Sequence, residues 1–536
     1  MYKHWREVDP GSKILCRVFN TCLKLNDIPP SWKNSSTILI HKDGEVDQIN
    51  NWRPIALSNT INKLFTKCLA RKLAEWCEEH SILSSAQKGF TPYDGVIEHN
   101  FLINAHLERA RSAQGNAFLA WLDVSNAFGS VPHEAIIHAL RAEGTDGDFI
   151  EIVVSLYVGA SSSILTEEEP SDPLLILCGV KQGCNLSGIL FNFHQRHDQD
   201  LIDRTVHSLQ RVALSLKASK CATLHLSCTT PVGSRLSPFF IQGIPVKALS
   251  DGDWYKYLGK PVGFSIRKDC SSINDALIDG HKIATSKLSP WQKLDALREF
   301  FFPSLNFAMR TAQFPKTDWQ RVESSMTKEI KEVLGLPLKA SCSYLFGDSK
   351  QGACGIPEIT KDADLYLVDM AFKLLSSKDE DVVVKVLADL TRTVRQHIRR
   401  DPTNADLAAF LSGSMEGEFK NSTNTLRNTW TLARSASRCQ SITWTFVEDE
   451  PSVSFDGNTI TIAGRRKLLK TLHQTQRLHH IEALINQRSQ GKAIECATAH
   501  PASTHFLFNG KYRRFADWRF IHKACLNLLP FNGAKQ

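Results

Sequence analysis

The sequence predicts an α+β protein in which a mixed amino-terminal half precedes a mostly helical carboxy-terminal half. Short apolar runs bounded by turn residues, such as 37–40 and the run ending at Asp123, are typical of strands. Residues 61–76 instead carry apolar side chains at helical spacing. The same argument predicts mostly helical structure over 270–335, 360–400 and 403–435.

Local signals place the remaining elements in chain order. Pro29 and Pro30 end an initial helix, and Pro132 opens a later one. The predicted helices are 61–76, 96–112, 132–143, one from about 188 to 216, and a basic helix over 465–490. The predicted strands are 37–40, the run to Asp123, strands within 152–178 around a turn at 167–173, 221–226, 254–259, and a hairpin at 453–462 with a two-residue turn.

The composition excludes several classes of protein. Fourteen cysteines are scattered with no C-x-x-C pair, which argues against a zinc ribbon and against a disulfide framework. No apolar run is long enough for a transmembrane helix, and the amino-terminus lacks the apolar core of a signal peptide. We therefore expect an intracellular protein, nuclear or cytoplasmic, that is neither secreted nor associated with a membrane.

Positive charge is concentrated at the carboxy-terminal end. The formal net charge is +8, yet residues 461–536 alone hold 13 Lys and Arg against 3 Asp and Glu. A basic segment on a nearly neutral body is typical of a nucleic-acid contact. The alternative is an ordinary solvated surface.

Six short segments, taken in order, resemble the reverse transcriptases of non-LTR retrotransposons. They are N-N-W-R-P-I-A-L from Asn50, Q-K-G-F from Gln87, W-L-D-V-S-N-A-F-G-S-V-P-H from Trp121, G-V-K-Q-G-C-N-L-S from Gly179, K-C-A-T-L-H-L from Lys220 and Y-K-Y-L-G from Tyr255. The likeness is greatest to the site-specific elements that insert into ribosomal DNA, and it covers essentially the whole chain.

The resemblance implies a right-hand polymerase fold and target-primed reverse transcription, in which a nicked DNA end primes copying of the element's RNA. The implied regions are partial fingers over 1–118, a ferredoxin-like palm over 119–265, a helical thumb over 270–345, a helical linker with the hairpin over 346–460, and a basic nucleic-acid-binding segment over 461–536. The implied partners are an RNA template, a DNA target or primer and deoxynucleoside triphosphates.

Asp123 is the candidate catalytic and metal-binding residue. Polymerases of this kind use two divalent cations, and Mg²⁺ prefers hard oxygen ligands such as carboxylates. Asp123 would bind both metals, with help from the Val124 carbonyl. Taken alone, an aspartate after an apolar strand is more often a turn or cap residue.

Four further residues are implied to contact the incoming nucleotide. The ring of Phe128 would exclude a 2′-hydroxyl, Gln182 and Gly183 would lie against the base pair, and Arg53 would reach a phosphate. Phe128 can equally be a core residue. Lys220 would protonate departing pyrophosphate, unless it is a surface lysine at a strand edge.

Other implied contacts are made with nucleic acid. Tyr257, Leu258 and Gly259 correspond to a primer grip. Cations interleaved with aromatic rings can bind phosphates and stack on bases. These candidates are Arg465, Arg466, Lys467, Lys511, Arg513, Arg514, Trp518 and Arg519. The alternative for the last group is an amphipathic helix whose aromatic side chains are core.

The sequence departs from the family where a hairpin with two adjacent aspartates should follow the helix near Phe193. The interval to Cys221 contains separated aspartates, and its apolar residues suit a helix face, so the third palm motif is predicted to be deleted near 194–215. One aspartate cannot assemble a two-metal site, and Mg²⁺ binding would be incomplete. We therefore expect a catalytically defective family member. The alternatives are a nucleic-acid-binding remnant without enzymatic activity and a non-functional product of a decayed element.

Overall fold

The chain forms two compact units in the computed structural model. The first comprises Met1–Gly95, His106–Tyr255 and Val262–Ile266, and the second comprises Val96–Ala105, Lys256–Pro261 and Arg267–Gln536. The structure describes residues 2–42, 44–194, 214–229, 231–236, 239–266, 270–420, 427–499, 504, 506–507 and 514–529.

Helices and short strands alternate over the first half of the chain. The helices are α1 (Tyr2–Val8), α2 (Lys13–Leu25), α3 (Pro30–Lys33), α4 (Thr60–Glu79), α5 (Gly95–Ser112), α6 (Ala127–Ser130), α7 (His133–Ala142), α8 (Gly147–Tyr157) and α9 (Ser187–His194). The strands are β1 (Asn34–His41), β2 (Trp52–Ser58), β3 (Asn116–Trp121), β4 (Ser161–Ile164), β5 (Leu174–Leu175), β6 (Ala222–Ser227), β7 (Gly233–Arg235), β8 (Phe240–Ile241), β9 (Ile244–Pro245), β10 (Lys247–Ala248), β11 (Trp254–Tyr257) and β12 (Lys260–Gly263).

Two sheets organise the first unit. One has the strand order β2-β1-β4-β5, and the other has the order β10-β6-β3 with β7 also paired to β6. β3 runs antiparallel to β6, with Trp121 opposite Ala222. A core cluster packs α4, α7, α8 and α9 together through buried side chains such as Phe65, Leu140 and Leu190. The structure confirms the helices predicted at 61–76, 96–112 and 132–143. It also confirms the strands predicted at 37–40, before Asp123, at 221–226 and at 254–259.

Two predictions for this half were wrong. The start of the 152–178 region is helical, because Asp146 caps α8 by accepting the Phe149 N–H and the apolar side chains of α8 are buried in the core. β-Branched residues therefore occupy a helix where tertiary burial outweighs their strand preference. Strands β4 and β5 do follow, on either side of the predicted turn.

The second error concerns the long helix predicted from about 188 to 216. α9 begins at Ser187 as expected, but Leu216 forms an antiparallel bridge with Val124. Residues 214–217 are consequently extended and not helical. Most of the predicted motif deletion, residues 195–213, lies outside the described residues.

The second unit is mainly helical. Its helices after α5 are α10 (Ser271–Thr285), α11 (Pro290–Ala296), α12 (Phe302–Arg310), α13 (Lys316–Leu334), α14 (Ser343–Phe346), α15 (Ile359–Leu375), α16 (Glu380–Ile398), α17 (Asn404–Leu411), α18 (Thr429–Cys439), α19 (Leu468–Ile485), α20 (Gln490–Thr498) and α21 (Phe515–Cys525). A three-stranded sheet of β13 (Thr443–Val447), β14 (Glu450–Phe455) and β15 (Asn458–Ile460) completes it.

The predicted hairpin and basic helix both occur in this unit. Asp456 and Gly457 join β14 to β15 with φ angles of 49° and 74°, as a tight two-residue turn requires. The basic region begins as a 3₁₀ segment, Ile462–Lys467, and continues as α19. The helix ends at Ile485, earlier than predicted, and a further helix follows from Gln490.

Candidate active site and nucleic-acid interface

The end of β3 presents Asp123 on a short segment held by backbone hydrogen bonds. The Asp123 N–H donates to the Cys221 sulfur at 3.3 Å, and its carbonyl accepts the Lys217 N–H at 2.8 Å. Ser125 N–H donates to the Ser215 carbonyl at 2.8 Å. These bonds align 123–125 antiparallel to 215–217, so the strand direction continues past β3 and the backbone at Asp123 has a defined position.

Two neighbours of Asp123 were not predicted from the sequence. Tyr255 stacks on Trp121 with ring centroids 5.0 Å apart, and its hydroxyl donates to the Lys220 carbonyl at 3.0 Å. Burial raises the pKa of the Tyr255 hydroxyl and of the Cys221 thiol, and the negative charge of Asp123 adds to both shifts. Tyr255 belongs to the Y-K-Y-L-G segment, but no spacing in the sequence indicated that its ring would reach Trp121.

Lys220 lies at the end of a 3₁₀ turn directly before β6, and its side chain is exposed. The two alternatives for it, a proton donor and a surface lysine, both remain compatible with this position. Its role is still a prediction.

Phe128 lies in α6, just past the Asp123 segment, and its ring is half-buried among aromatic side chains. It stacks on Phe191 at 4.7 Å and meets Phe90 edge-on at 5.6 Å. These contacts support a packing role for the ring. A role in excluding the 2′-hydroxyl is still a prediction.

The Gly179 turn is bonded directly to α6. Val180 N–H donates to the Phe128 carbonyl at 2.7 Å, and Gly179 N–H donates to the Val131 carbonyl at 2.7 Å. A Cβ on Gly179 would lie 2.8 Å from the Gly129 Cα. The segment carrying Asp123 and the segment carrying Gln182, distant in sequence, are thereby brought together.

Gln182 and Gly183 lie against β2. The Ala56 N–H donates to the Gln182 carbonyl at 2.7 Å. Gly183 has a φ of +116°, and a Cβ there would lie 2.5 Å from the Ala56 carbonyl oxygen. Arg53 is exposed on the same strand. The structure therefore joins three of the sequence motifs, those of Arg53, Asp123 and Gln182, through backbone contacts.

The described residues do not supply a full set of ligands for two cations. They contain no group of three or more His, Cys, Asp or Glu side chains placed to bind a metal ion. Octahedral Mg²⁺ needs several oxygen ligands, whereas the Asp123 carboxylate is the one acidic group on the segments just described. The stretch in which two more aspartates were expected falls within 195–213, outside the described residues.

The predicted primer-grip residues belong to the second unit. Tyr257 ends β11, and Leu258 and Gly259 form the turn that follows it. Leu258 and Gly259 have φ angles of 47° and 83°. Burial raises the pKa of the Tyr257 hydroxyl. A Cβ on Gly259 would lie 2.6 Å from the Phe307 ring, so the turn packs closely on α12. Primer binding by these residues is still a prediction.

Most of the predicted cations of the basic segment that the structure describes are exposed, and several also contact other parts of the second unit. Arg466 and Lys467 are exposed on the 3₁₀ segment, whereas Arg465 donates to the Lys373 carbonyl at 3.2 Å. Arg514 is exposed beside Asp517, and Arg519 donates to the Val333 carbonyl at 3.2 Å. Lys511 and Arg513 lie outside the described residues.

Trp518 was wrongly predicted to contact nucleic acid. Its side chain is 1% exposed, and its indole N–H donates to the Phe506 carbonyl at 3.2 Å. Its ring lies 4.1 Å from that of the buried His522. α21 turns this face toward the core, so the alternative of an amphipathic helix with core aromatic side chains is correct for Trp518.

Comparisons with known proteins agree with these motifs. A profile of the family described as reverse transcriptase (RNA-dependent DNA polymerase) matches residues 40–204, which include Arg53, Asp123 and Gln182. The retrovirus-related Pol polyprotein from type-2 retrotransposable element R2DM of Drosophila melanogaster is 25% identical over 402 residues, covering 67% of this chain and 37% of that protein.

Two further relatives extend the comparison. The Pol polyprotein from type-1 retrotransposable element R2 of Nasonia vitripennis is 24% identical over 396 residues, 66% of this chain and 38% of that protein. The uncharacterized 149 kDa protein of transposon TX1 of Xenopus laevis is 32% identical over 177 residues, 33% of this chain and 13% of that protein. The chain thus spans well under two thirds of the length of these relatives. Across the described residues, no helix combines the length and apolar character needed to cross a membrane.

Proposed function

Because this chain carries a reverse transcriptase domain of the R2-like, non-LTR retrotransposon type, we propose that it binds an RNA template and a DNA primer but does not polymerise DNA. Reverse transcriptases as a family bind these two nucleic acids and use divalent metal ions. A reverse transcriptase domain also implies the polymerase fold. In this proposal residues 1–118 act as fingers, 119–265 as palm and 270–345 as thumb.

The proposed loss of polymerase activity is inferred from the small number of carboxylates in the motifs of the candidate active site. No two aspartates are adjacent anywhere in the sequence, and Asp123 is the one acidic residue in the motifs that meet near the end of β3. A two-metal site needs carboxylates that bind both cations, because one metal activates the primer hydroxyl while the other holds the leaving group. With Asp123 as the one carboxylate, Mg²⁺ would be bound weakly, and two cations could not be held together. The primer hydroxyl would then not be activated for attack on the nucleotide.

Retention of nucleic-acid binding rests on charge. The segment 461–536 carries a balance of +10, and Arg466 and Lys467 are exposed within it. Their positive charges would neutralise phosphates and release counterions, so affinity should fall steeply with salt. In target-primed reverse transcription, such a chain would hold the RNA template and the DNA primer without extending the primer.

A combined assay tests both halves of the proposal on the full chain. Primer extension with Mg²⁺ on an RNA template with a DNA primer is expected to give no product above that of Asp123→Ala. Binding of the same RNA–DNA hybrid, followed by fluorescence anisotropy across a salt series, is expected to weaken markedly as salt rises. Primer extension that Asp123→Ala abolishes would contradict the catalytic part.

A matched pair of variants isolates the basic segment. Replacing Arg466 and Lys467 by alanine should weaken hybrid binding and lower the slope of log affinity against log salt by about 1.5, since each phosphate that is no longer neutralised lowers it by roughly 0.7–0.9. Replacing the exposed Lys385 and Lys420 by alanine removes the same charge elsewhere and should leave the slope unchanged. An affinity that is independent of salt, or equal losses for the two pairs, would refute the binding part.

A further inference from the structure

A group of ionisable side chains lies largely buried where helices α13, α15 and α19 of the second unit meet. Its members are Glu323 of α13, Glu358 and Asp362 at the start of α15, and His473, Arg477 and His480 of α19. Five of them, all but Glu323, line one small cavity of about 20 Å³. We call the group the Asp362 cluster. A buried carboxylate costs free energy unless it is paired, so the pairing of each one bears on how firmly these helices are held together.

Two of the three carboxylates in the Asp362 cluster have close partners. The His480 Nε2 lies 2.7 Å from a Glu358 oxygen, and the Lys361 Nζ lies 3.0 Å from the same oxygen. Glu323 accepts the Thr360 N–H at 2.8 Å. Burial by itself would raise the pKa of Glu358, but the hydrogen bond from His480 and the charge of Lys361 together lower it. Glu358 is therefore stable in its ionised form.

The third carboxylate, Asp362, has a poorer contact. Its Oδ1 lies 3.4 Å from the His473 Nε2, whereas a hydrogen bond between an ionised carboxylate and a charged donor is usually about 2.7–2.9 Å long. The Nε2 atom is buried and has no hydrogen-bond partner in the part of the chain that the structure describes. The side chains of Asp362 and His473 are 14% and 26% exposed, so bulk water does little to stabilise a charge on either.

The charges around this pair do not make up for its long contact, because carboxylates oppose the cations. The charged and titratable groups that surround it are Glu323 of α13, Glu358, Lys361 and Tyr366 on α15 or directly before it, Arg477 of α19, and Arg310 of α12, which lies over the Tyr366 ring. Burial has the larger effect. It raises the pKa of Asp362 to about 7 and lowers that of His473 to about 4.

We propose that Asp362 and His473 share one proton, and that this proton holds α19 against α15. With the proton bound, the carboxyl O–H of Asp362 donates to the lone pair of the His473 Nε2 and joins the two helices. Without it, Asp362 is a buried carboxylate whose contact with the imidazole is too long to offset the loss of its hydration. The proton is taken from water as α19 packs on α15 and is returned to water as α19 opens.

The pH dependence of the contact follows from the two states of Asp362. When α19 opens, the pKa of the Asp362 carboxyl falls from about 7 toward its ordinary value of 3.8, so the closed form binds a proton that the open form releases. The closed form therefore loses its advantage as the pH rises through about 7. Protonation of the released His473 acts in the opposite direction below pH 6.5, so the effect is clearest from pH 7 upward.

Opening of α19 would also affect the basic segment, because Arg466 and Lys467 directly precede this helix. If these two side chains bind phosphates as proposed above, their attachment to the second unit would loosen as the pH rises. This consequence rests on the proposed function, whereas the shared proton does not. The experiment below contains no nucleic acid, so it can fail without any bearing on hybrid binding.

Hydrogen exchange of the α19 amides in the full chain, corrected for the intrinsic exchange rate at each pH, gives the opening equilibrium of this helix. In the native chain, the open population should rise about tenfold between pH 7 and pH 8.5. Asp362→Asn keeps the shape of the side chain but is neutral at every pH, so the rise should disappear. Glu482→Gln, at an exposed carboxylate on the same helix, is the matched control and should keep the rise.

A second variant changes the other member of the pair. The amide of glutamine in His473→Gln can donate an N–H to the ionised Asp362, so the open population should rise less between pH 7 and pH 8.5 than it does in the native chain. This variant also provides a test if Asp362→Asn does not fold. A native chain in which α19 opens equally at the two pH values would overturn the proposal. An undiminished rise in Asp362→Asn or in His473→Gln would overturn it as well, since the proton would then belong to another group.

Discussion

Replacing Gly183 by alanine should separate the Gln182 turn from β2. Gly183 has a φ of +116°, and its added Cβ would lie 2.5 Å from the Ala56 carbonyl oxygen. The backbone conformation costs a residue with a Cβ about 1–3 kcal/mol. Overlap with a backbone oxygen, which cannot rotate away as a side chain does, adds about 1–3 kcal/mol. We expect Gly183→Ala to lower the local free energy of unfolding by at least about 2 kcal/mol.

Two matched glycines divide this cost into its parts. Gly159 has a φ of +70° with nothing within 4 Å of its Cβ position, so Gly159→Ala should lose only the backbone part, about 1 kcal/mol. Gly147, the first residue of α8, has neither a positive φ nor a close neighbour. Gly147→Ala should be neutral or stabilise by up to about 1 kcal/mol.

Hydrogen exchange measured by mass spectrometry on the full chain, in increasing urea, gives the opening free energy of individual segments. Amides of β2, including that of Ala56, and of residues 180–190 should lose protection in Gly183→Ala. Those of α13 in the second unit should not change. A Gly183→Ala chain that loses no more protection than Gly159→Ala would show that Gly183 is not packed on β2, and the joining of the three motifs would be refuted.

Two further predictions concern α21. Trp518→Ala should destabilise the second unit by about 3–5 kcal/mol, the cost of removing a large buried side chain, as measured by hydrogen exchange across α21 in urea. Weaker hybrid binding without this loss of stability would instead place the ring on the nucleic acid. Burial lowers the pKa of His522 from 6.5 to about 3. Between pH 6.5 and about pH 3, His522 therefore binds a proton in the unfolded chain but stays neutral in the folded chain. The free energy of unfolding consequently decreases as the pH falls below 6.5. The stability advantage of the native chain over His522→Gln should shrink by about 3 kcal/mol between pH 7 and pH 4. An advantage that is constant with pH would show that His522 is not held neutral.

Local sequence determined most elements of this protein. Asn59 caps α4 by accepting the Ile61 N–H, and Asp456 with Gly457 sets the hairpin turn. These signals act over a few residues, so they can be recognised in the sequence without knowing the rest of the fold. The motifs carrying Arg53, Asp123 and Gln182 were likewise identified in the sequence, through their resemblance to the reverse transcriptases of non-LTR retrotransposons. Their chemical roles are still predictions.

Tertiary structure decided which faces are buried and which segments meet. The β-branched run in α8 is helical because its apolar side chains are buried in the core of the first unit. Trp518 faces inward because α21 packs against the core of the second unit. The contact of Tyr255 with Trp121 and the bond between Cys221 and Asp123 join positions about a hundred or more residues apart. No periodicity encodes such pairs, because burial and strand register are set by the whole fold and not by the neighbours of a residue in sequence.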